Sequence, residues 1–517
     1  MARKLRSKTL FIILALTLIG LVDSAYLTRN HYSVSETVKC GFGIFSNCGK
    51  VLNSKYSEIF GIPLAVFGLI HYFLLTVSTI YLFINNKRIT RYAIIVLSTF
   101  GLFASAYFMF LQLAVIRSIC PYCTLSALVS LTLFYIIQKH FAQDRKRLTT
   151  KTTYYFYTRI VRHILFLTKA DWIHESILKL GNSLGNSTLV KNTFSYLFMF
   201  EDKGLKQKLA GITFPNPVGI AAGFDYEACL TQLTPSLGFG YETIGTITNQ
   251  PYKGNTTPRL GRLVKSKSLM VNKGFKNEGA EKIIDSIKGY KFLNPLGVSI
   301  GRTNSIKITT QEKSISDIIL AFNKFKVSKI MFDYYELNIS CPNLRGNISF
   351  YPPKNLENLL TKIDGLKIKK PIFVKMPISL SDHDTLLILK VISKHSPKGI
   401  IIGNLQTKRK IKPLLPSEVN QFPIGNFSGK PTLNRSNKLI KLAYTNYKDR
   451  FIIIGCGGIF TGDDAYTKIK LGASMVQLIT GLIFQGPQLA TQINIELIDL
   501  YKKDGFTHIS QAVGKDT

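Results

Sequence analysis

Acidic residues are the scarce class in this chain. Among 517 residues, 30 Asp and Glu stand against 66 Lys and Arg, a formal net charge of +36. An imbalance of that size points to an anionic partner, either nucleic acid or a membrane surface. The chain has no arginine-rich run, no zinc-finger spacing and no RNA-binding motif, so nucleic acid is left without support. Its first apolar run also lacks a small-residue cleavage site, carries Asp23 and is followed by three more such runs, which argues against a removable signal peptide. Apolar residues are plentiful, at 46% of the chain, and they crowd the front. A lipid bilayer is the partner that remains. The length leaves room for roughly three to four domain-sized units.

Four apolar runs fill the first quarter: Thr9–Thr28, Gly61–Ile84, Tyr92–Ile116 and Ile119–Ile137. Each comes close to the ~20 residues that cross a bilayer as a helix. Arg3, Lys4, Arg6 and Lys8 precede the first; Lys87, Arg88 and Arg91 join the second to the third; Lys139, Arg145, Lys146 and Arg147 follow the fourth. With an even number of spans these clusters share one side, which the positive-inside rule makes cytoplasmic. Arg29, Lys39, Lys50 and Lys55 on the other side moderate the bias. The expectation is a multi-pass protein of a membrane such as the bacterial inner one, with an all-α four-helix domain over residues 1–145 and the rest of the chain in the cytoplasm.

Four of the seven cysteines fall in this part. Cys40 and Cys48 lie in the outer loop Arg29–Phe60, and Cys120 and Cys123 form CPYC at the start of the fourth span. Two pairs facing an oxidising compartment can relay electrons. A CPYC in the first turn of a helix gains thiolate stabilisation from the free N–H groups and the macrodipole. The same residues can simply fill space or hold a structural zinc ion, and spacing alone leaves these options open. The segments CGKVLNSKYSEIFGIPLAVFGL and FASAYFMFLQLAVIRSICPYCTLSA resemble the vitamin K epoxide reductase family over roughly residues 7–140. The resemblance implies that Cys40 and Cys48 exchange disulfides with a thioredoxin-like protein on the outer side. It also implies that Cys120 and Cys123 reduce a membrane quinone, and that Ser54 donates a hydrogen bond to the quinone carbonyl. No metal is expected.

Residues 146–204 are basic and aromatic, with Tyr154, Tyr155 and Tyr157 close behind the basic cluster. Two helical patterns follow. Ile160, Ile164 and Leu167 share one face; Ile173, Ile177, Leu180 and Leu184 share another, with Asp171 as its expected N-cap. Such helices can lie on a membrane or pack as a hairpin on the next domain.

From residue 205 to the end, eight short apolar strands are expected: Val218–Ala222, Tyr241–Gly245, Leu296–Ile300, Tyr334–Ile339, Ile372–Lys375, Gly399–Gly403, Phe451–Ile454 and Met475–Leu478. Eight continuous apolar strands separated by helix-length segments predict an α/β domain, a (β/α)8 TIM barrel of buried parallel strands. Polar residues and glycines follow the strands: Gly223, Thr246, Arg302, Cys341, Asn404, Gly457-Gly458 and Thr480-Gly481. That is the end where barrel enzymes keep their sites, and the glycines after the last two strands let N–H groups approach a phosphate. Asp333–Asn343, DYYELNISCPN, brings Cys341 between Asn338 and Asn343 to that rim. Lys375 supplies a cation there, because an unpaired buried ammonium is too costly to be merely structural.

The motifs NPVGIAAGFD, IGTIT, NKGFKN, LNISCPN, VKM, SGKP, IIGCGGI and VQLITG resemble dihydroorotate dehydrogenase, from about Tyr154 to Ile493. The resemblance implies FMN held by Ala222, Gly223, Thr246, Ser299, Asn338, Lys375, Gly403, Gly429, Gly458, Ile479 and Thr480. It implies dihydroorotate, going to orotate, held by Asn272, Lys273, Gly274, Phe275, Asn338, Asn343 and Asn404, with Cys341 as the base and quinone as acceptor. The helices around Trp172-Ile173-His174-Glu175 resemble the extension that forms a quinone channel. Cys341 is the base of soluble members, whereas the extension belongs to membrane-associated ones. Tyr226 stands where the family has Lys, and Ser299, Gly403, Leu405 and Ile479 also depart from the membrane-type pattern. The expected protein is therefore a bifunctional, quinone-linked membrane oxidoreductase. The alternatives are a flavoenzyme for a related planar substrate and a membrane-anchored barrel that binds without catalysis.

Overall fold

The structure, a computed structural model, describes residues 2–32, 48–346 and 348–517. The chain divides into two compact units, Met1–Leu148 and Thr149–Thr517.

The first unit is built on helices α1 (Ala2–Tyr32), α2 (Leu64–Ile84), α3 (Arg88–Phe110) and α4 (Pro121–His140). All four spans expected from the apolar runs are present, as Lys8–Tyr32, Leu64–Ile84, Arg88–Ile116 and Pro121–His140. Proline marks two of their starts: Pro63 precedes α2, and Pro121 opens α4 with Cys120 as its N-cap. α3 runs on into a π-helical turn, Leu111–Ile116, and stops at Arg117 in the left-handed conformation (φ 54°). Leu10, Ile13, Tyr72, Leu75, Ile94, Val129 and Leu133 pack between the helices. Phe11, Phe73, Phe103, Leu128 and Tyr135 face outward and exposed, so the helices are apolar on both faces, as lipid-embedded helices are.

The second unit is a closed barrel of eight parallel strands in sequence order. They are β1 (Val218–Ile220), β2 (Tyr241–Ile247), β3 (Leu296–Ile300), β4 (Tyr334–Asn338), β5 (Ile372–Met376), β6 (Gly399–Ile402), β7 (Ile452–Cys456) and β8 (Met475–Leu478). Alternation assigns each side chain. In β4, Tyr335 and Leu337 point out to the helices, where they join the largest core cluster. Tyr334 points into the barrel with Tyr241, Phe373, Ile401, Ile454 and Met475, and Phe214 plugs that end. Glycine in the strands makes room for these rings: a Cβ on Gly219 would lie 2.4 Å from Tyr241 and one on Gly297 2.2 Å from Tyr334.

Helices α5 (Ala170–Gly185) and α6 (Thr188–Phe198) precede the barrel. Tyr157 OH donates to Ile483 O at 2.7 Å and Arg162 Nη1 to Phe484 O at 3.1 Å, so the basic stretch docks on the barrel. Of the expected apolar faces, Ile160, Ile164, Leu167, Ile177 and Leu180 are exposed, and Ile173 and Leu184 are half-buried. Asp171 is not the N-cap of α5, whose cap is Lys169. Its Oδ2 instead accepts from the backbone N–H groups of Arg259 and Leu260, at 3.0 and 3.2 Å. A carboxylate with two half-buried donors in reach gains more there than from one at a solvated helix end.

Candidate functional site: a glycine-lined cavity at the barrel mouth

The strand ends converge on one cavity, with about 1170 Å³ of empty space counted out to its open mouth. Of the residues expected to hold a cofactor, Ala222, Gly223, Thr246, Asn338, Lys375, Gly403, Gly429, Gly458, Ile479 and Thr480 line it. Ser299 does not. It lies one layer deeper on β3, where its Oγ donates to Glu336 Oε1 at 2.7 Å and meets Thr246 Oγ1 at 2.9 Å. Thr246 covers it.

Those bonds belong to a buried polar chain. Asn338 Nδ2 donates to Thr246 Oγ1 at 2.8 Å, Thr246 meets Ser299, and Ser299 reaches Glu336. Lys375 Nζ then lies 3.5 Å from Glu336 Oε1, with both side chains almost fully buried. Lys375 is thus a paired cation rather than a lone one. Glu336 went unnoticed in the sequence because β4 reads as apolar through its outward residues, while Tyr334, Glu336 and Asn338 form its inward row.

Cys341 follows β4 and lines the cavity with Asn338 and Lys375. Burial pushes its thiol up to about 11, against the pull of the Asn343 backbone N–H, Lys375 and Arg302. Three of the four expected asparagines meet here: Asn338, Asn343 and Asn404. Asn404 Nδ2 donates to Ser340 Oγ at 2.6 Å, and Asn343 Nδ2 to Val271 O at 3.0 Å. Asn272 is turned away. Its Oδ1 accepts from Asn255 at 3.0 Å, and Val271 lines the cavity in its stead. The strand Ser268–Val271 decides this: Leu269 and Val271 share the inward row, so the next side chain points out. Gly274 and Phe275 line the cavity as expected. Lys273 lines it too, but its ammonium is drawn to α5, 3.0 Å from His174 Nδ1.

The glycines form a cradle whose turns admit no side chain. Gly429 has φ +81°, and a Cβ there would lie 2.4 Å from Lys267 O; Gly458 has φ +77° and would place one 2.5 Å from Leu433. Thr480 Oγ1 and Ser428 Oγ sit 2.8 Å apart beside them. Ser428 and Cys456 also line the cavity; they stand in the SGKP and IIGCGGI motifs beside Gly429 and Gly457, and the apolar run before Cys456 reads as a packing context. A glycine cradle at a strand end and a buried cation beside an open cavity fit a phosphate-bearing flavin such as FMN.

The first unit has a cavity of its own, about 1770 Å³ counted to open space, lined by Ser54, His71, Tyr72, Gln112 and Cys123 among mostly apolar residues. Cys40 lies outside the described residues. Cys48 is disulfide-bonded, and Cys120 and Cys123 are free thiols. Cys48 Sγ and Cys120 Sγ stand 3.3 Å apart, both fully buried. Gln112 Oε1, from the π-helical turn, accepts from the Cys120 backbone N–H at 2.9 Å and sets the entry to α4. Ser54 Oγ donates to Val51 O at 2.8 Å, so the proton expected to reach a quinone is already engaged.

Residues 204–501 match the family described as dihydroorotate dehydrogenase, and residues 11–137 the vitamin K epoxide reductase family. Among curated relatives, dihydroorotate dehydrogenase (quinone) of Trichodesmium erythraeum is 35% identical over 366 residues, 67% of this chain and 94% of that protein. The protein of the same name from Nautilia profundicola is 32% identical, covering 69% of this chain and 96% of the relative. Among solved structures, DHODH of Eimeria tenella in complex with ferulenol superposes with a TM-score of 0.59 at 25% identity, covering 67% of this chain and 96% of that one. Its ligand-free form gives 0.57 at 26% identity, covering 65% and 98%.

Proposed function

Because the chain belongs to the dihydroorotate dehydrogenase family, we propose that its barrel oxidises dihydroorotate to orotate with FMN and a membrane quinone, a step of pyrimidine synthesis. We further propose that its four-helix unit passes electrons from a thioredoxin-like dithiol protein to quinone. The observation that carries the first half is the convergence of Cys341, Lys375 and three asparagine amides on one glycine-cradled cavity.

FMN bound there would carry two electrons from substrate to quinone. Gly429, Gly458 and Thr480 would hold its phosphate through backbone N–H groups, and Ala222, Gly223, Thr246, Asn338 and Lys375 its ring system. Asn338, Asn343 and Asn404 bring amide groups to the cavity, and amides can both donate to and accept from a flat ring of alternating N–H and C=O groups. Cys341 takes the proton from the substrate carbon. Its raised thiol is seldom ionised at neutral pH, but the thiolate is a strong base once formed.

In the four-helix unit, the disulfide-bonded Cys48 stands 3.3 Å from the Cys120 thiol, close enough for thiol–disulfide exchange. Each exchange conserves two electrons: the outer dithiol becomes a disulfide as the CPYC disulfide opens, and the CPYC dithiol closes as quinone becomes quinol. The basic clusters support a cytoplasmic position for the barrel in a bacterial inner membrane.

Anaerobic addition of dihydroorotate should bleach the flavin band of the purified full-length protein, and a soluble quinone analogue should restore it. A band that dihydroorotate leaves untouched refutes the barrel assignment. For the other half, a reduced thioredoxin-like protein should drive quinone reduction in wild-type membranes and fail to do so with Cys123→Ala.

A further inference from the structure

At the end of the cavity walled by α5, Lys273 is buried and lacks a carboxylate partner within ion-pair distance among the described residues. Its Nζ lies 3.0 Å from His174 Nδ1, donates to Tyr226 OH at 3.3 Å and sits 4.3 Å above the Tyr226 ring. His174 Nε2 is 2.9 Å from the carbonyl of Phe224, which can only accept. Nε2 therefore carries the ring proton, and Nδ1 is an acceptor for the ammonium. Burial, with Lys273 beside it, brings His174 down to about 3 and keeps it neutral. Tyr226 OH donates in turn to Glu175 Oε1 at 2.7 Å. Glu175 does not line the cavity; its side chain is 41% exposed and paired with Lys276. A continuous hydrogen-bonded path thus leads from water, through Glu175 and Tyr226, to a buried ammonium facing the cavity.

We propose that Glu175, Tyr226 and Lys273 relay a proton from solvent to a quinone bound at this end of the cavity. The inference rests on the quinone-linked reading above and assigns a task to Tyr226, the residue that departs from the family's lysine. The walls support a quinone here, since Leu260, Leu269, Val271, Ile479 and Ile483 make them apolar.

The chemistry balances. Quinone to quinol takes two electrons and two protons. The hydrogen and electron pair leaving dihydroorotate account for both electrons and one proton, while the other substrate proton goes to Cys341. The second quinone proton must be supplied locally. A Lys273 N–H bond breaks as a quinone O–H forms, leaving an amine. The path then reverses polarity: Tyr226 donates to the amine as Glu175, protonated from solvent, donates to Tyr226. One solvent proton is consumed for each proton Cys341 returns. Burial lowers the Lys273 ammonium to about 7, against Glu175 and Asp171, which raise it, and with Lys276 and Arg259, which lower it further. An ammonium in that range releases its proton readily at neutral pH.

The test uses full-length protein carrying Glu175→Gln or Tyr226→Phe. In Glu175→Gln, bleaching of the flavin band by dihydroorotate should stay within about twofold of wild type, while its recovery with a soluble quinone slows by tenfold or more, the scale of a lost general acid. Tyr226→Phe should slow the recovery equally. A second readout needs no turnover: acetylation of Lys273 by acetic anhydride, followed by mass spectrometry across pH. Removing the Glu175 charge should move its midpoint to lower pH. Unchanged recovery in both variants, equal slowing of both steps, or an unmoved acetylation midpoint overturns the relay. Failure of dihydroorotate to bleach the wild-type band would instead refute the barrel's function, and the acetylation midpoint would still decide whether Glu175 and Lys273 are coupled.

Discussion

Replacing Glu336 by glutamine should expose how the barrel tolerates a buried cation at its mouth. Lys375 Nζ and Glu336 Oε1 are 3.5 Å apart and nearly inaccessible to water. At an effective dielectric of ~20, that separation corresponds to about 5 kcal/mol of attraction. The introduced amide would keep the shape and still accept from Ser299, but it leaves the ammonium without a counter-charge. Removing one partner of a buried pair typically costs about 3–5 kcal/mol, and we expect that loss here. Trp172 is the chain's single tryptophan and lies on α5 in the barrel unit, so its emission reports that unit alone. Urea unfolding of the detergent-solubilised full-length protein, followed by Trp172 emission, therefore measures the effect. Glu336→Gln with Lys375→Met should recover at least ~1 kcal/mol relative to the sum of the single changes, because no stranded charge remains. A single variant within ~1 kcal/mol of wild type, or strict additivity of the two, would refute the pairing.

Three further outcomes follow from the same geometry. Because burial holds the Cys341 thiol up to about 11, its thiolate fraction rises tenfold per pH unit below that value; the rate of flavin bleaching by dihydroorotate should climb steadily from pH 6 to 9, and a plateau near neutrality would count against Cys341 as the base. Gly429→Ala, strained at φ +81° and 2.4 Å from Lys267 O, should lower flavin content several-fold by visible absorbance, whereas Gly211→Ala, at φ +82° with open space around it, should keep it. Cys123→Ala should accumulate a Cys48–Cys120 disulfide in non-reducing peptide maps, because those sulfurs are already 3.3 Å apart and the resolving thiol is gone.

Continuous apolar runs bounded by glycine or proline carry their own length and type, and so the four spans and eight strands were legible in the chain. Side-chain direction was less so. Asn272 and Val271 differ by one position, and only the register of Ser268–Val271 against its neighbours decides which faces the cavity. The inward row of β4 hid Glu336 in the same way, because a carboxylate amid apolar residues gives no hint of the lysine that neutralises it from the next strand. Contacts between distant segments were least legible. Tyr226, His174 and Lys273 come from three stretches, and their spacing in the chain carries no sign that they meet.

Where the chain departs from the family pattern, those distant contacts explain how the barrel accommodates the change. Tyr226 takes the place of a lysine, which on its own would strip a cation from the mouth. Lys273 enters the same cavity from another loop and lies against the Tyr226 ring, so the cavity retains a positive charge but holds it at the helical end. A cation that moves with its tyrosine partner behaves as one unit. Tyr226→Lys alone would force two ammonium groups together beside a neutral His174, and at ~4 Å and a dielectric of ~20 their repulsion is about 4 kcal/mol. Restoring the family residue should therefore lower the stability read by Trp172 emission in urea, and adding Lys273→Met should regain that stability while flavin recovery with quinone stays slow, since the relay is gone. The two positions depend on each other through that shared space, which is why neither substitution is conservative when read singly.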